Sequence, residues 1–425
     1  MVEHFDVLVA GGGPAGLMAS IAAAENGSKV CLLDKGDRLG RKLGISGGGR
    51  CNVTNAMSID ELIRHVPGNG RFLYSALASF SNRDIIRFFE DLGIRLKEED
   101  HGRVFPVSDS AQSVVQALVR KVRSLSVTIK TCEPVQAVLF GKKVRGVKTV
   151  SGRKISASCV VVAVGGKSVS RTGSTGDGYA WAKAAGHTIT DLYPTEVPLT
   201  STESFIQSRR LQGLSLRDCA VTLLSPKGKP IQTHRWDMLF THFGLSGPAI
   251  LRLSQFVVKA LKKYRVPEIM VTIDTFPDVQ ENELFHKLIR LSRDTPGRAL
   301  KKVWKGLVPE RYLFYLCERS GLSEEMTGHN LKSESVRILV KYLKAFPVHV
   351  NGTLPLEKAF ITGGGVSLKE INPKTMESKI MPGLYFCGEI MDIHGYTGGY
   401  NITAAFATGH AAGKSAALNA ETVRS

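Results

Sequence analysis

The chain has 425 residues, 43% hydrophobic and 22% charged, the composition of a globular protein too long for one simple core, so two or three domains are expected. No apolar run reaches the ~18 residues of a membrane span, and the opening MVEHFDVLVAGGG reads as the start of a fold instead of a signal peptide; a cytoplasmic protein is expected. Lys plus Arg number 56 against 38 Asp plus Glu, a formal charge of +18, but the excess is spread without a basic tail or an aromatic-interleaved stripe, so a solvated basic surface is expected and nucleic acid is not an expected partner.

In chain order, His4 to Ala10 reads as a buried strand, followed by Gly11-Gly12-Gly13-Pro14-Ala15-Gly16 and an Ala-rich helix to about Gly27. A second strand, Lys29 to Asp34, completes a β-turn-α-β opening. Gly11, Gly13 and Gly16 fill the three positions of G-x-G-x-x-G: a tight turn, close approach to a pyrophosphate, and close helix packing. Pro14 at the helix start costs no hydrogen bond. Asp34, about 20 residues on, is the acid expected on a ribose hydroxyl. Alone the glycine loop is a weak signal; with both strands, the helix and the acid in order, it reads as dinucleotide binding.

Helical spacing returns at Leu73 to Leu92 and Ser110 to Leu125, around an extended piece at Arg103 to Pro106. Val135 to Phe140 and Val144 to Val150 suggest a hairpin, and the apolar strand Cys159 to Val164 opens into Gly165-Gly166. Asp177 reads either as a helix cap or as a ligand contact. Prolines at 194, 198, 230 and 248 then punctuate short alternating runs. Residues 191–276 are therefore expected as a β-rich insertion, residues 277–344 as a helical subdomain, and residues 1–190 and 345–425 as a discontinuous nucleotide domain. The fold class expected is α/β, Rossmann-type. Seven scattered cysteines without a C-x-x-C pair exclude a zinc ribbon, and no metal site is expected.

Further glycine segments carry the chemistry. The run Arg41-Lys42-Leu43-Gly44-Ile45-Ser46-Gly47-Gly48-Gly49-Arg50-Cys51-Asn52 offers backbone amides to a flat anionic ligand, with Arg41, Lys42 or Arg50 to neutralise pyrophosphate. A solvated loop needs no three consecutive glycines. Gly165 and Gly166 lie where parallel sheets place ligands. Gly388-Glu389, with Asp392 three residues on, resembles the acidic motif that holds the ribityl chain in flavoproteins. A helix starting near Gly399 would aim its positive end at the flavin pyrimidine.

Together K-L-G-I-S-G-G-G-R-C-N-V-T-N, V-V-A-V-G-G and G-L-Y-F-C-G-E…G-Y-T-G-G-Y-N-I resemble the BaiN-like, or aminoacetone-oxidase-like, FAD-dependent oxidoreductases over essentially the whole chain. The resemblance implies a two-dinucleotide-binding-domain flavoprotein, broadly similar to fumarate reductase flavin subunits. It implies pyrophosphate at Gly13, Pro14, Ala15 and Gly16, adenosine ribose at Asp34 and Lys35, and adenine near Val135. Arg41, Lys42, Ser46, Gly47, Gly48, Cys51 and Asn52 would line the path to the flavin, opposite Gly165 and Gly166. Glu389, Asp392, Gly399, Asn401 and Ile402 would complete the flavin end.

The leading expectation is hydride transfer between flavin and a small organic substrate. NADH or NADPH is a candidate transient reductant, although no second complete G-x-G-x-x-G opens a βαβ unit. His394, Tyr396, Tyr400, Arg50 and His242 are candidate proton donors, none preferred. Thr241, His242 and Gly244 to Pro248 are first candidates for substrate contact. The competing classes are a tRNA-modifying flavoprotein and a flavin-binding sensor without turnover. Substrate and oligomeric state are not legible in the sequence.

Overall fold

The computed structural model describes residues 3–323 and 325–424; residues 1, 2, 324 and 425, which the expected domain ranges include, lie outside the described residues. The chain forms two compact units, Met1–Tyr193 with Phe360–Ser425, and Pro194–Ala359.

The first unit is built on a sheet whose parallel strands run in the order Thr128–Lys130, Val30–Leu33, His4–Ala10, Lys154–Val162. Lys154–Val162 serves two neighbours on its other edge. Its start pairs antiparallel with the hairpin Val135–Phe140 and Val144–Thr149, and its end pairs parallel with Leu384–Phe386. The central strands are buried on both faces, which is why they read as continuous Val/Leu runs. The expected Rossmann-type class and its hairpin are therefore present.

The first helix, Pro14–Glu25, is buried from Ala15 to Ala23, so it shows almost no polar face. It packs against the last helix, Tyr400–Arg424. The approach is so close that a side-chain carbon at Gly413 would stand 2.1 Å from the Ala19 carbonyl oxygen, a contact only glycine permits. The helical spacing from Leu73 to Leu92 belongs to two helices, Tyr74–Ser79 and Asn82–Asp91; Ser81 caps the second in a capping box with Asp84.

The second unit holds a seven-stranded antiparallel sheet, in the order Phe346–Val350, Ile269–Asp274, Ser215–Leu224, Pro230–Phe240, Gly244–Ser246, Leu199–Thr200, Gly352–Thr353. Helices Glu281–Asp294, Glu310–Arg319 and Ser333–Ala345, from the range read as a helical subdomain, share one core with these strands around Trp304, Tyr312 and Phe346. A 17-residue helix, Pro248–Tyr264, lies inside the range read as β-rich. Pro248 is its first residue, where proline is favourable, and is not the break that the proline count implied. The chain rejoins the nucleotide unit at Phe360, later than the expected residue 345, because Phe346–Val350 and Gly352–Thr353 belong to the antiparallel sheet. Among the described residues, no helix is long and apolar enough to cross a membrane.

Candidate functional site

The first glycine loop closes on itself at Gly16. A side-chain carbon there would lie 1.8 Å from the Gly11 carbonyl oxygen and 3.2 Å from Cβ of Ala163, so loop, helix and sheet meet at this point. Gly13, the helix N-cap, differs: a side-chain carbon there meets nothing within 4 Å. The amides of the first helical turn have no intrahelical acceptor and open onto this bare face, which fits a diphosphate.

Asp34 fastens the loop from behind. Its Oδ2 accepts the Gly12 N–H at 2.6 Å and its Oδ1 the Gly36 N–H at 2.7 Å, so its first task is to brace the turn. Lys35 reaches across to Asp177 at 2.6 Å and to Thr175. Asp177 is thus an ion-pair partner and makes no capping bond; the N-cap of its helix is Gly176. Arg41 pairs at the surface with Asp37.

The carboxyl ends of three parallel strands, His4–Ala10, Lys154–Val162 and Leu384–Phe386, bring Gly11–Gly16, Gly165–Gly166 and Gly388–Glu389 together. A side-chain carbon at Gly388 would come within 2.9 Å of Cβ of Ala15, and one at Gly166 within 3.1 Å of Glu389 Oε1. Glu389 accepts from Lys42 Nζ at 2.7 Å, Ser168 Oγ at 2.8 Å and the Thr362 N–H at 2.8 Å. Lys42 Nζ also donates to Ser168 Oγ at 2.9 Å. Burial pushes the Glu389 carboxyl up, but the Lys42 charge and the bonds from Lys42, Thr362 and Ser168 outweigh it and hold it below the ordinary value. The Lys42 ammonium, read from sequence as a pyrophosphate partner, is committed to Glu389. Sequence reasoning missed Thr362 altogether, because its partner Glu389 stands 27 positions away.

The Gly47–Gly49 turn has three consecutive left-handed residues, φ 56, 69 and 90, with nothing within 4 Å of a side-chain carbon at Gly48 or Gly49. Ser46 turns inward, donating its hydroxyl to the Leu43 carbonyl at 2.7 Å, and its own carbonyl accepts the Cys51 N–H at 3.0 Å. Cys51 is buried, and burial pushes its thiol up to about 12. Arg50 turns away to Glu99 and Asp109, with its guanidinium 4.3 Å over the Phe105 ring.

Asn52 Oδ1 is buried and accepts no hydrogen bond among the described residues, and a side-chain carbon at Gly399 would stand 3.0 Å from it. Gly399 leads into the last helix, whose Thr403 hydroxyl meets that of Thr54 at 2.7 Å. The open glycine turn, the unsatisfied amide oxygen and a 25-residue helix starting beside them fit the polar edge of a flavin.

Around this end, Asn401 clasps the preceding loop, accepting from the Gly395 N–H at 2.7 Å and donating to the Gly395 and Tyr396 carbonyls. His394 is buried, with Nε2 2.9 Å from the Tyr193 hydroxyl. His65 stacks on Tyr400 with ring centroids 4.8 Å apart. Tyr193, His65 and Ser168 were not singled out from sequence as site residues. Asp392 shares this loop through its backbone, its N–H donating to Val366 and its carbonyl accepting from Asn69 at 2.8 Å. Ile402 is half-buried on the first turn of the last helix, and Val135 half-buried at the start of the hairpin. Thr241, His242 and Gly244 to Pro248 lie in the other unit, where the Thr241 N–H donates to the Gly244 carbonyl at 2.9 Å.

The sequence profile of the HI0933-like protein Rossmann domain matches residues 5–415. The chain belongs to the HI0933-like family of FAD-dependent Rossmann proteins. It is similar to ribosomal RNA dihydrouridine synthases of Escherichia coli, 33% identical with 96% of each chain covered, and of Haemophilus influenzae, 31% identical over 97% of this chain and 98% of that one. It is 29% identical to a 3-dehydro-bile acid delta(4,6)-reductase of Clostridium scindens, covering 96% of this chain and 98% of that one. Among solved structures, a 3-ketosteroid-delta4-(5alpha)-dehydrogenase from Rhodococcus jostii shares the fold, with a TM-score of 0.52 at 16% identity, covering 98% of this chain and 97% of that chain. As an HI0933-like protein the chain is a flavin-dependent oxidoreductase with FAD as its cofactor.

Proposed function

We propose that this protein reduces the 5,6 double bond of a uridine in ribosomal RNA, giving dihydrouridine, with NADH or NADPH reducing its FAD. The observation that carries the reading is the formal charge of +18. A polyanion gains from such a field through counterion release, whereas a single small anion needs only one or two cations. The expectation that nucleic acid is no partner rested on the even spread of that charge. Relatives of 31% and 33% identity that are ribosomal RNA dihydrouridine synthases weigh against it. The bile-acid relative supports the same chemistry, since a delta(4,6)-reductase also saturates a carbon–carbon double bond.

On this reading the Gly11–Gly16 loop and its helix hold the FAD diphosphate, with Asp34 bracing the loop and Lys35, Arg41 and Val135 flanking the adenosine end. Lys42, Glu389, Gly165 and Gly166 shape the middle, and Ser46, Gly47, Gly48, Cys51, Asn52, Gly399, Asn401 and Ile402 the flavin end, with Arg50 turned aside. When bound and reduced, FAD supplies the hydride. The hydride forms a bond to C6 of the uracil, and the C5–C6 π pair takes a proton at C5. The His394–Tyr193 pair, 2.9 Å apart with His394 buried and Tyr193 half-buried beside the flavin-end loop, is the proton source we assign. The N-terminus of the helix Tyr400–Arg424 would hold the pyrimidine edge of a bound flavin and favour negative charge there.

The test is anaerobic. Protein whose flavin has been reduced by NADPH is mixed with unmodified ribosomal RNA or with a 3-oxo-4,6-diene steroid, and return of the oxidised flavin absorbance is followed. The RNA is expected to reoxidise the flavin faster; reoxidation by the steroid alone would overturn the reading.

A further inference from the structure

An open cleft of about 1090 Å³ lies on the nucleotide unit, walled by the segment from Asp60 to Ser75 and by Leu368, Lys369 and Pro373. Its rim carries Arg64, Arg71 and Lys369, all exposed, and among the described residues no carboxylate lies within ion-pair distance of any of the three. The one acid on the rim, Asp60, accepts the Tyr74 hydroxyl at 2.9 Å. That bond pins Tyr74, 45% exposed, with its ring at the mouth of the cleft. Three cations outside any ion pair, around an aromatic ring held by Asp60, are the parts of a single-strand nucleic-acid site: the ring takes a base, the cations its phosphates.

The cleft is also wired to the flavin end of the site. Asn69 on its wall donates to the Asp392 carbonyl at 2.8 Å, the next-door Gly68 N–H donates to the His394 carbonyl at 2.9 Å, and the His65 carbonyl accepts the Tyr396 N–H at 3.0 Å. Gly68 lies so close to His394 that a side-chain carbon there would fall 2.2 Å from its ring. One stretch of chain, residues 64–71, therefore forms the cleft wall on one side and supports the His394 loop on the other.

We propose that this cleft seats the nucleotides flanking the target uridine, with a base stacked on Tyr74 and phosphates held by Arg64, Arg71 and Lys369. The proposal rests on the ribosomal RNA reading. It is tested by fluorescence anisotropy of a labelled oligouridylate of about 12 nucleotides, titrated at several salt concentrations with FAD-loaded protein. Tyr74→Ala is expected to weaken binding roughly tenfold, and Tyr74→Phe, which keeps the stacking ring but loses its bond to Asp60, to weaken it by less than Tyr74→Ala. Arg64→Ala and Arg71→Ala are each expected to weaken binding and to lower the salt slope by about 0.7, one phosphate of a single strand. Lys142→Ala, at the exposed tip of the Val135–Thr149 hairpin, is the control and is expected to leave the slope unchanged. An unaltered flavin spectrum shows that each variant is folded. If wild type binds and the cleft variants bind equally well, or Lys142→Ala loses as much as they do, the cleft assignment is overturned and the RNA reading stands. If FAD-loaded wild type does not bind even at low salt, both fall.

Discussion

Replacing Gly13 with alanine separates cofactor binding from folding. Gly13 has φ −78 and ψ −176, a conformation alanine adopts freely, and the added methyl meets no protein atom within 4 Å. Stability of the apo protein should therefore change by no more than about 0.5 kcal/mol. The methyl instead occupies the space over the first helical turn, where a phosphate oxygen must come within hydrogen-bond distance of the amides. Losing one charge-assisted bond there costs about 1.5–3 kcal/mol, roughly ten- to hundredfold in FAD affinity. Gly16→Ala is the contrasting variant. Its methyl would stand 1.8 Å from the Gly11 carbonyl oxygen, so the loop must open by more than an ångström, which costs about 1–3 kcal/mol before any cofactor arrives. Urea unfolding of both apo proteins and quenching of FAD fluorescence on titration give the two numbers for each variant. Gly13→Ala binding FAD as tightly as wild type would refute the placement of the diphosphate.

Three further outcomes follow from the geometry. Lys42→Met strands the Glu389 carboxylate, whose side chain is only 18% exposed, and should cost about 2–3 kcal/mol of apo stability; adding Glu389→Gln should recover most of it, and full additivity of the two losses in urea unfolding would contradict the pairing. His187 is buried between Glu370 and Ser378, and burial holds its imidazole below the ordinary 6.5 despite the Glu370 carboxylate. The unfolded chain thus takes up this proton first, so the His187 contribution is intact above pH 6.5 and lost as pH falls toward the folded value; the urea midpoint of wild type should drop more than that of His187→Gln between about pH 7.5 and about pH 5.5, and equal drops would contradict it. Cys51, with its thiol near 12, should resist iodoacetamide at about pH 8 while exposed Cys132 is alkylated, as peptide mass spectrometry would show; early labelling of Cys51 would mean that the turn opens.

The parts of this protein that were legible in the sequence are those written over short spans. The strand, Gly11–Gly16 turn, helix and second strand occupy the first 33 residues, and each step has its own local signal. The hairpin at Val135–Thr149 is legible for the same reason. What escaped is long in range. Lys42 and Glu389 are 347 positions apart, and nothing near Lys42 says that its charge is spent on a carboxylate instead of a phosphate. Tyr193 and His394 meet across 201 positions. Arg50 sits in a glycine-rich ligand loop, yet Glu99 and Asp109 draw it aside. The helix Pro248–Tyr264 was passed over because proline was counted as punctuation, although its first turn is where proline belongs. Charge misled differently: an even spread of +18 reads as solvation along the chain, while the fold gathers Arg64, Arg71 and Lys369 around one cleft.

The most direct test of the central claim is the mass of a nucleoside. Ribosomal RNA transcribed in vitro, and so free of modified uridines, is incubated with FAD-loaded protein and NADPH, digested to nucleosides and analysed by mass spectrometry. A product heavier than uridine by two hydrogens, formed only when both FAD-loaded protein and NADPH are present, is the predicted result. Reduction of the flavin by NADPH with no dihydrouridine formed would contradict the account.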